Sequence, residues 1–216
     1  MRSLPPCVRN LSANRMLFNE IVRLSAEHLI LVAIAVVAAT AIAAPSAIFL
    51  TRHARARRWT LGLVNIVQTI PSLALFGFLL PLPFIGGVGK QTAVLALILY
   101  ALLPILRNTV VGITGVDSTV RESAVAMGMT DSQILRDVEL PLALPTILAG
   151  VRIATVTTIG TATIAAAIGG GGLGTFVFRG IAMADSRTIL AGAVPAAIMA
   201  ITADEVLEWV ERRFSY

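Results

Sequence analysis

Five stretches of the chain run with few charges for roughly 20 residues, the length a helix needs to cross the hydrocarbon of a bilayer: Leu29 to Leu50, Leu61 to Pro83, Thr92 to Ile113, Thr146 to Ile168 and Thr188 to Trp209. No period-two alternation broken by turns supports a transmembrane barrel, and no repeat marks a solenoid. The pattern predicts an all-α, polytopic membrane protein of about five spans, or six if the N-terminal arm re-enters. With 56% hydrophobic and 13% charged residues, the chain has too little polar surface to cover a water-soluble core. No Ser/Gly/Pro-rich linker divides it, so we read an arm over 1–27, with apolar positions at helical spacing from Met16 to Glu27 that suit an interfacial helix, and one membrane domain over 28–216. That leaves no room for a nucleotide-binding domain.

The net charge of +5 does not signal nucleic acid, because the basic residues cluster beside apolar runs without interleaved aromatic platforms. They read as orientation signals instead. Arg52, Arg55, Arg57 and Arg58 separate the first two spans, against Lys90 alone in the next loop, which places the first loop in the cytoplasm. Counting onward, the loop at about 115–145 and the tail with Arg212 and Arg213 are cytoplasmic, while Gly169 to Arg187 is outside. The arm then lies outside despite Arg2, Arg9, Arg15 and Arg23, a conflict with the same rule. An Ala-x-Ala pattern at Ala41 to Ala43 imitates a signal-peptide cleavage site. The hydrophobic run continues beyond it into the arginine block, so the first span is read as retained.

Polar residues inside spans locate the bundle interior. At about 100° per residue, Asn65, Gln68, Thr69 and Ser72 fall on one arc of the second span. Tyr100, Pro104, Arg107 and Asn108 share an arc of the third. Either stripe can serve as interhelical hydrogen-bond glue or as a wetted solute path. Thr155, Thr157, Thr158, Thr161 and Thr163 spread around the fourth span, where threonines also bond their own backbone. Thr158 and Thr161 join the path candidates.

Several features are decoys. Gly89 and Lys90 imitate the end of a P-loop, yet Phe84 and Gln91 stand where glycine and Ser/Thr are required; Gly86, Gly87 and Gly89 read as a short external turn. Gly169, Gly171 and Gly174 fit G-x-G-x-x-G without a preceding strand. His28 and His53 are far apart, each at a membrane edge, and no Cys/His/carboxylate cluster has metal spacing, so no catalytic residue, metal or cofactor is assigned. Cys7, alone in the chain, can form no intrachain disulfide. Asp204, Glu205 and Glu208 read as a solvated helix end paired with Arg212 and Arg213.

The informative segment is Glu122 to Pro141. Glu122, Ala124, Gly128, Leu140 and Pro141 match E-A-A-x3-G-x9-I-x-L-P at the correct spacing, with Ser123 for alanine and Val138 for isoleucine. Ser118 or Asp117 can cap a short helix, Gly128 permits a sharp turn, and Pro141 starts the return to the membrane. The segment resembles the EAA loop of ABC importer permeases. The runs Gln68 to Leu79, Leu99 to Thr109, Glu139 to Pro145 and Ile159 to Gly169 are similar to the osmoprotectant branch of that superfamily.

That resemblance implies the type I, methionine-permease-like fold in a bacterial inner membrane. It implies two ATPase subunits docked on the EAA-like loop, a second permease subunit (a copy or a paralogue), and an extracytoplasmic solute-binding protein. The implied cargo is glycine betaine, choline, carnitine or a related quaternary amine, moved by alternating access. A permease for another small solute, such as a methionine-like amino acid, is the nearest alternative. An ion-coupled secondary transporter using Asp204 and the Asn65–Ser72 stripe is the rival from another class, though no inverted repeat supports it.

Overall fold

The computed structural model describes residues 6–82 and 87–214, with side chains from Arg15 onward. The start of the arm, Pro83 to Gly86 of the predicted external turn, the Cys7 side chain and the last two residues lie outside that description. The described residues are helical: α1 (Pro6–Thr51), α2 (Ala54–Thr69), α3 (Ser72–Leu79), α4 (Lys90–Thr114), α5 (Ser118–Ala126), the single turn α6 (Asp131–Gln133), α7 (Leu140–Ala165), α8 (Gly174–Ala182) and α9 (Ser186–Phe214). Helix α1 passes unbroken through the 27/28 boundary drawn from the sequence. By length and composition four helices can cross a membrane, and a fifth span results if α2 and α3 count as one bent pair.

That bent pair corrects the sequence reading of a continuous second span. The axis turns by 100° between α2 and α3, because Pro71 has no N–H to donate and forces Ile70 into an extended conformation. A break at membrane depth must find partners for its freed carbonyls. The Ile70 carbonyl accepts from the Tyr100 hydroxyl of α4, and the Ile66 carbonyl from Thr69 Oγ1 at 2.8 Å. Consequently Asn65, Gln68 and Thr69 sit on α2 while Ser72 opens α3, and the four do not form one stripe.

Packing explains the small residues. In lipid the hydrophobic effect does not drive helices together, so close van der Waals contact must. Ala35, Ala39, Ala43 and Ala47, spaced by four along one face of α1, are all fully buried. The last three pack with Ala101, Ile105 and Ala154 of α4 and α7. Ala43 therefore belongs to a helix interface, which accounts for the cleavage-site look-alike. Helices α4 and α7 cross closely at Gly150, where an added Cβ would stand 2.6 Å from Asn108 Cβ and 2.9 Å from the Pro104 carbonyl oxygen.

The helix ends gather into two groups. At one, Arg52 beside the end of α1 meets Glu139 and the α5 region. At the other, Lys90 meets Glu27 at 3.9 Å, and the Gly89 N–H donates to the Ile168 carbonyl at 2.8 Å. The helix ends divide between these two groups as the sequence reading divides them. With native Cys7 replaced, a cysteine at Gly87 should label with an impermeant reagent in intact cells while cysteines at Ala56 and Asp131 stay unlabelled; the reverse pattern would invert the topology.

Gly150→Val should lower the thermal unfolding midpoint of the detergent-purified protein, the overpacking costing about 1–3 kcal/mol. Gly160→Ala on the same helix meets nothing within 4 Å and should leave the midpoint in place. Equal losses in both variants would reject the close-crossing account.

Candidate functional site

The EAA-like segment folds as a short helix, a glycine turn and a second helix. Asp117 caps α5, its carboxylate accepting the Thr119 N–H at 2.8 Å. The α5 end closes on Gly128, whose φ of +81° is a left-handed conformation that favours glycine. The Gly128 and Met129 N–H groups donate back to Val125 and Ala124. Among the described residues, its chain neighbours aside, nothing lies within 4 Å of an added Gly128 Cβ, so the turn projects outward.

Thr130 and Gln133 then form a reciprocal capping box that starts the return helix. Residues Ile134–Glu139 wind as a π-helix into α7, with the Leu140 N–H reaching back to Leu135. This widened turn immediately precedes Pro141, which cannot donate a backbone bond of its own. Within the segment Ala124 is buried, Val138 and Leu140 are half-buried, and Glu122, Ser123, Gly128 and Pro141 are exposed.

Glu139, inside the segment but not among its motif residues, is the buried charge of the region. Its side chain is 4% exposed, 2.8 Å from the Arg52 guanidinium and 3.5 Å from that of Arg121 on α5. An acidic residue directly before Leu140 and Pro141, with arginines near both neighbouring helix ends, was the available sequence signal.

A second feature is a cleft of about 680 Å³ along α4 and α7. It brings together Gln68, Tyr100, Arg107, Asn108 and Thr161 from the predicted set and adds Thr157. Leu103 and Ile153 contribute apolar wall. The Gln68 side-chain amide donates to the Tyr100 carbonyl at 3.1 Å, which ties the end of α2 to α4. Asn65, Thr69 and Ser72 are not among the lining residues; of these, Ser72 is carried away from Gln68 by the break in the second span. Thr158 is buried away from the cleft with its hydroxyl unpartnered. Thr157 and Thr161 spend their hydroxyl protons on backbone carbonyls one turn back.

One sequence reading changes. Asp204 and Glu208, with Glu211, converge on Arg152 of α7 at 3.8, 3.2 and 3.3 Å, while Glu208 also pairs with Arg212. They form an interhelical network in place of a purely solvated end, and the spacing 204, 208, 211 places them on one helix face. His28, at the end of the bundle where Glu27 meets Lys90, is fully buried, its Nε2–H donating to the Ile159 carbonyl at 3.0 Å. An added Cβ at Gly172 would stand 2.9 Å from His28 Nδ1, so the glycine stretch after α7 is a tightly packed turn.

A helix–turn–helix between two spans, beside a bundle with a partly polar cleft, is the arrangement of a membrane permease subunit. The family model described as the binding-protein-dependent transport system inner membrane component matches residues 39–216, and the chain belongs to that family. It is a multi-pass inner-membrane subunit of an ABC importer; in this family ATP hydrolysis belongs to separate subunits, and a solute-binding protein and a second permease complete the transporter.

Among its relatives is the choline transport system permease protein OpuBB of Bacillus subtilis, 46% identical over 88% of this chain and 86% of that one. The carnitine transport permease protein OpuCD of Listeria monocytogenes is 48% identical over 86% and 82%. The fold matches the MetNI methionine ABC transporter in an inward-facing conformation, with TM-score 0.83 and 23% identity over 92% of this chain and 98% of that one.

The α5 cap carries a pH dependence. The Thr119 N–H, then the Thr119 hydroxyl, hold the Asp117 carboxyl below its ordinary value of 3.8. A depressed carboxylate contributes stability above the unfolded value and loses it as pH falls through the folded one. Amide exchange in α5 should therefore accelerate only on the acid side of that value. Asp117→Asn, which keeps an acceptor without a titrating proton, should show no such acid transition.

Proposed function

We propose that this permease imports a small quaternary amine, of the glycine betaine, choline or carnitine class, by alternating access driven by two ATPase subunits, with a second permease subunit completing the pathway. The observation that carries the cargo is the 46–48% identity, over nearly the whole length, to permeases named for choline and carnitine transport. The likeness to the methionine transporter, at 23% identity, supports the fold and does not move the cargo toward an amino acid.

In this reading the loop around Glu122, Ser123, Ala124, Gly128, Val138, Leu140 and Pro141 docks in the ATPases. The exposed Gly128 turn enters a partner groove, and the half-buried Val138 and Leu140 tie the loop to α7. The cleft lined by Gln68, Tyr100, Arg107, Asn108, Thr157 and Thr161 is one half of the solute path, its other half supplied by the second permease. Its polar groups wet a passing solute, but among the described residues Tyr100 is its one aromatic, too few for a cation–π cage. High-affinity selection then belongs to the solute-binding protein.

Reconstituted with its ATPase and solute-binding protein, the permease should take up labelled betaine or choline only with ATP. Gly128→Asp should abolish uptake and transport-linked hydrolysis while the subunit still inserts, because charge and bulk at the left-handed turn obstruct docking. Uptake driven by an ion gradient without the ATPase would replace this reading with secondary transport, and wild-type uptake by an inserted Gly128→Asp variant would reject the coupling role.

A further inference from the structure

We propose that Glu139 is a positioning residue that transmits movement of the ATPase-docking loop into the membrane helices; this rests on the reading of that loop given above. Three elements converge on its carboxylate. Arg121 lies on α5, the helix that ends at the exposed Gly128 turn, and is 3.5 Å away. Arg52, in the turn after α1, is 2.8 Å away. Glu139 itself closes the π-helical run and leads directly into α7.

A carboxylate that is 4% exposed loses its hydration, so both guanidiniums hold it more tightly than a surface pair would. Removing either leaves a buried charge half compensated. The link is therefore a stiff tie of short reach, unlike the exposed remainder of α5, where Glu122 and Ser123 face solvent. Pushing α5 moves Arg121. Arg121 draws Glu139, and Glu139 acts on the base of α7 directly and on the end of α1 through Arg52. The π-helical run provides compliance at the point of load, since a widened turn can shift register without opening the helix.

The test uses the assembled transporter in proteoliposomes, with ATPase and solute-binding protein present. Wild-type ATP-dependent uptake is established first, so failure of the proposed function shows there, independently of any variant. Glu139→Gln keeps the shape and removes the charge. The amount of solute imported per ATP hydrolysed should fall at least about threefold. A carboxylate that only stabilised the fold would lower uptake and hydrolysis together, and an unchanged ratio overturns the proposal. Arg121→Gln, on the half-exposed arm of the link, should lower the ratio as well. Combined with Glu139→Gln it should do no further damage, as members of one chain are non-additive. An unchanged ratio in Arg121→Gln overturns the proposal even where Glu139→Gln fails to assemble, and so do additive losses in the double variant.

Discussion

Helices α4 and α7 cross where one of them has no side chain. Gly150 presents bare backbone to Pro104 and Asn108, and Gly112 does the same a turn and a half away toward Ala143 and Thr146. In a bilayer this close contact substitutes for the hydrophobic effect. The alanine face of α1 then lies against the paired helices, Phe76 of α3 is fully enclosed beside them, and the cleft takes its wall from the same two helices. Separating α4 from α7 would remove the site along with the packing.

The spans could be read from residues, since apolar length reports a direct physical requirement. The EAA-like segment was legible too, and its turn geometry follows from Gly128. The second span was misjudged because a hydropathy window sees only composition. Ile70 and Pro71 are apolar enough to pass, yet a missing N–H redirects the axis and separates Ser72 from Gln68. Thr158 failed for a related reason: angular position on a helix is legible, but which face a neighbouring helix covers is not. Glu139 and Arg152 escaped notice because their partners lie on other helices, and no spacing along the chain encodes such a meeting.

Charge is distributed unevenly between the two ends of the bundle. On the side assigned to the cytoplasm it is organised into ties between helices: Glu139 with two arginines, and Arg152 with three carboxylates of α9. On the other side the Glu27–Lys90 and Glu20–Arg179 pairs rim a packed glycine turn closed by His28. The first end is thus held by short charge-to-charge ties between helices, and the other by steric contacts around a glycine turn.

The π-helical run before Pro141 carries a geometric consequence of its own. One surplus residue in a helix advances everything beyond it by about 100° and 1.5 Å. The Gly128 loop is therefore clocked, relative to the faces of α7, by a single residue within Ile134–Glu139. Shortening the run by one would leave every span and every motif residue present, yet aim the Gly128 turn along a different bearing. Spacing within the EAA-like pattern, more than the identity of any residue between Gly128 and Val138, sets the direction in which the Gly128 turn points.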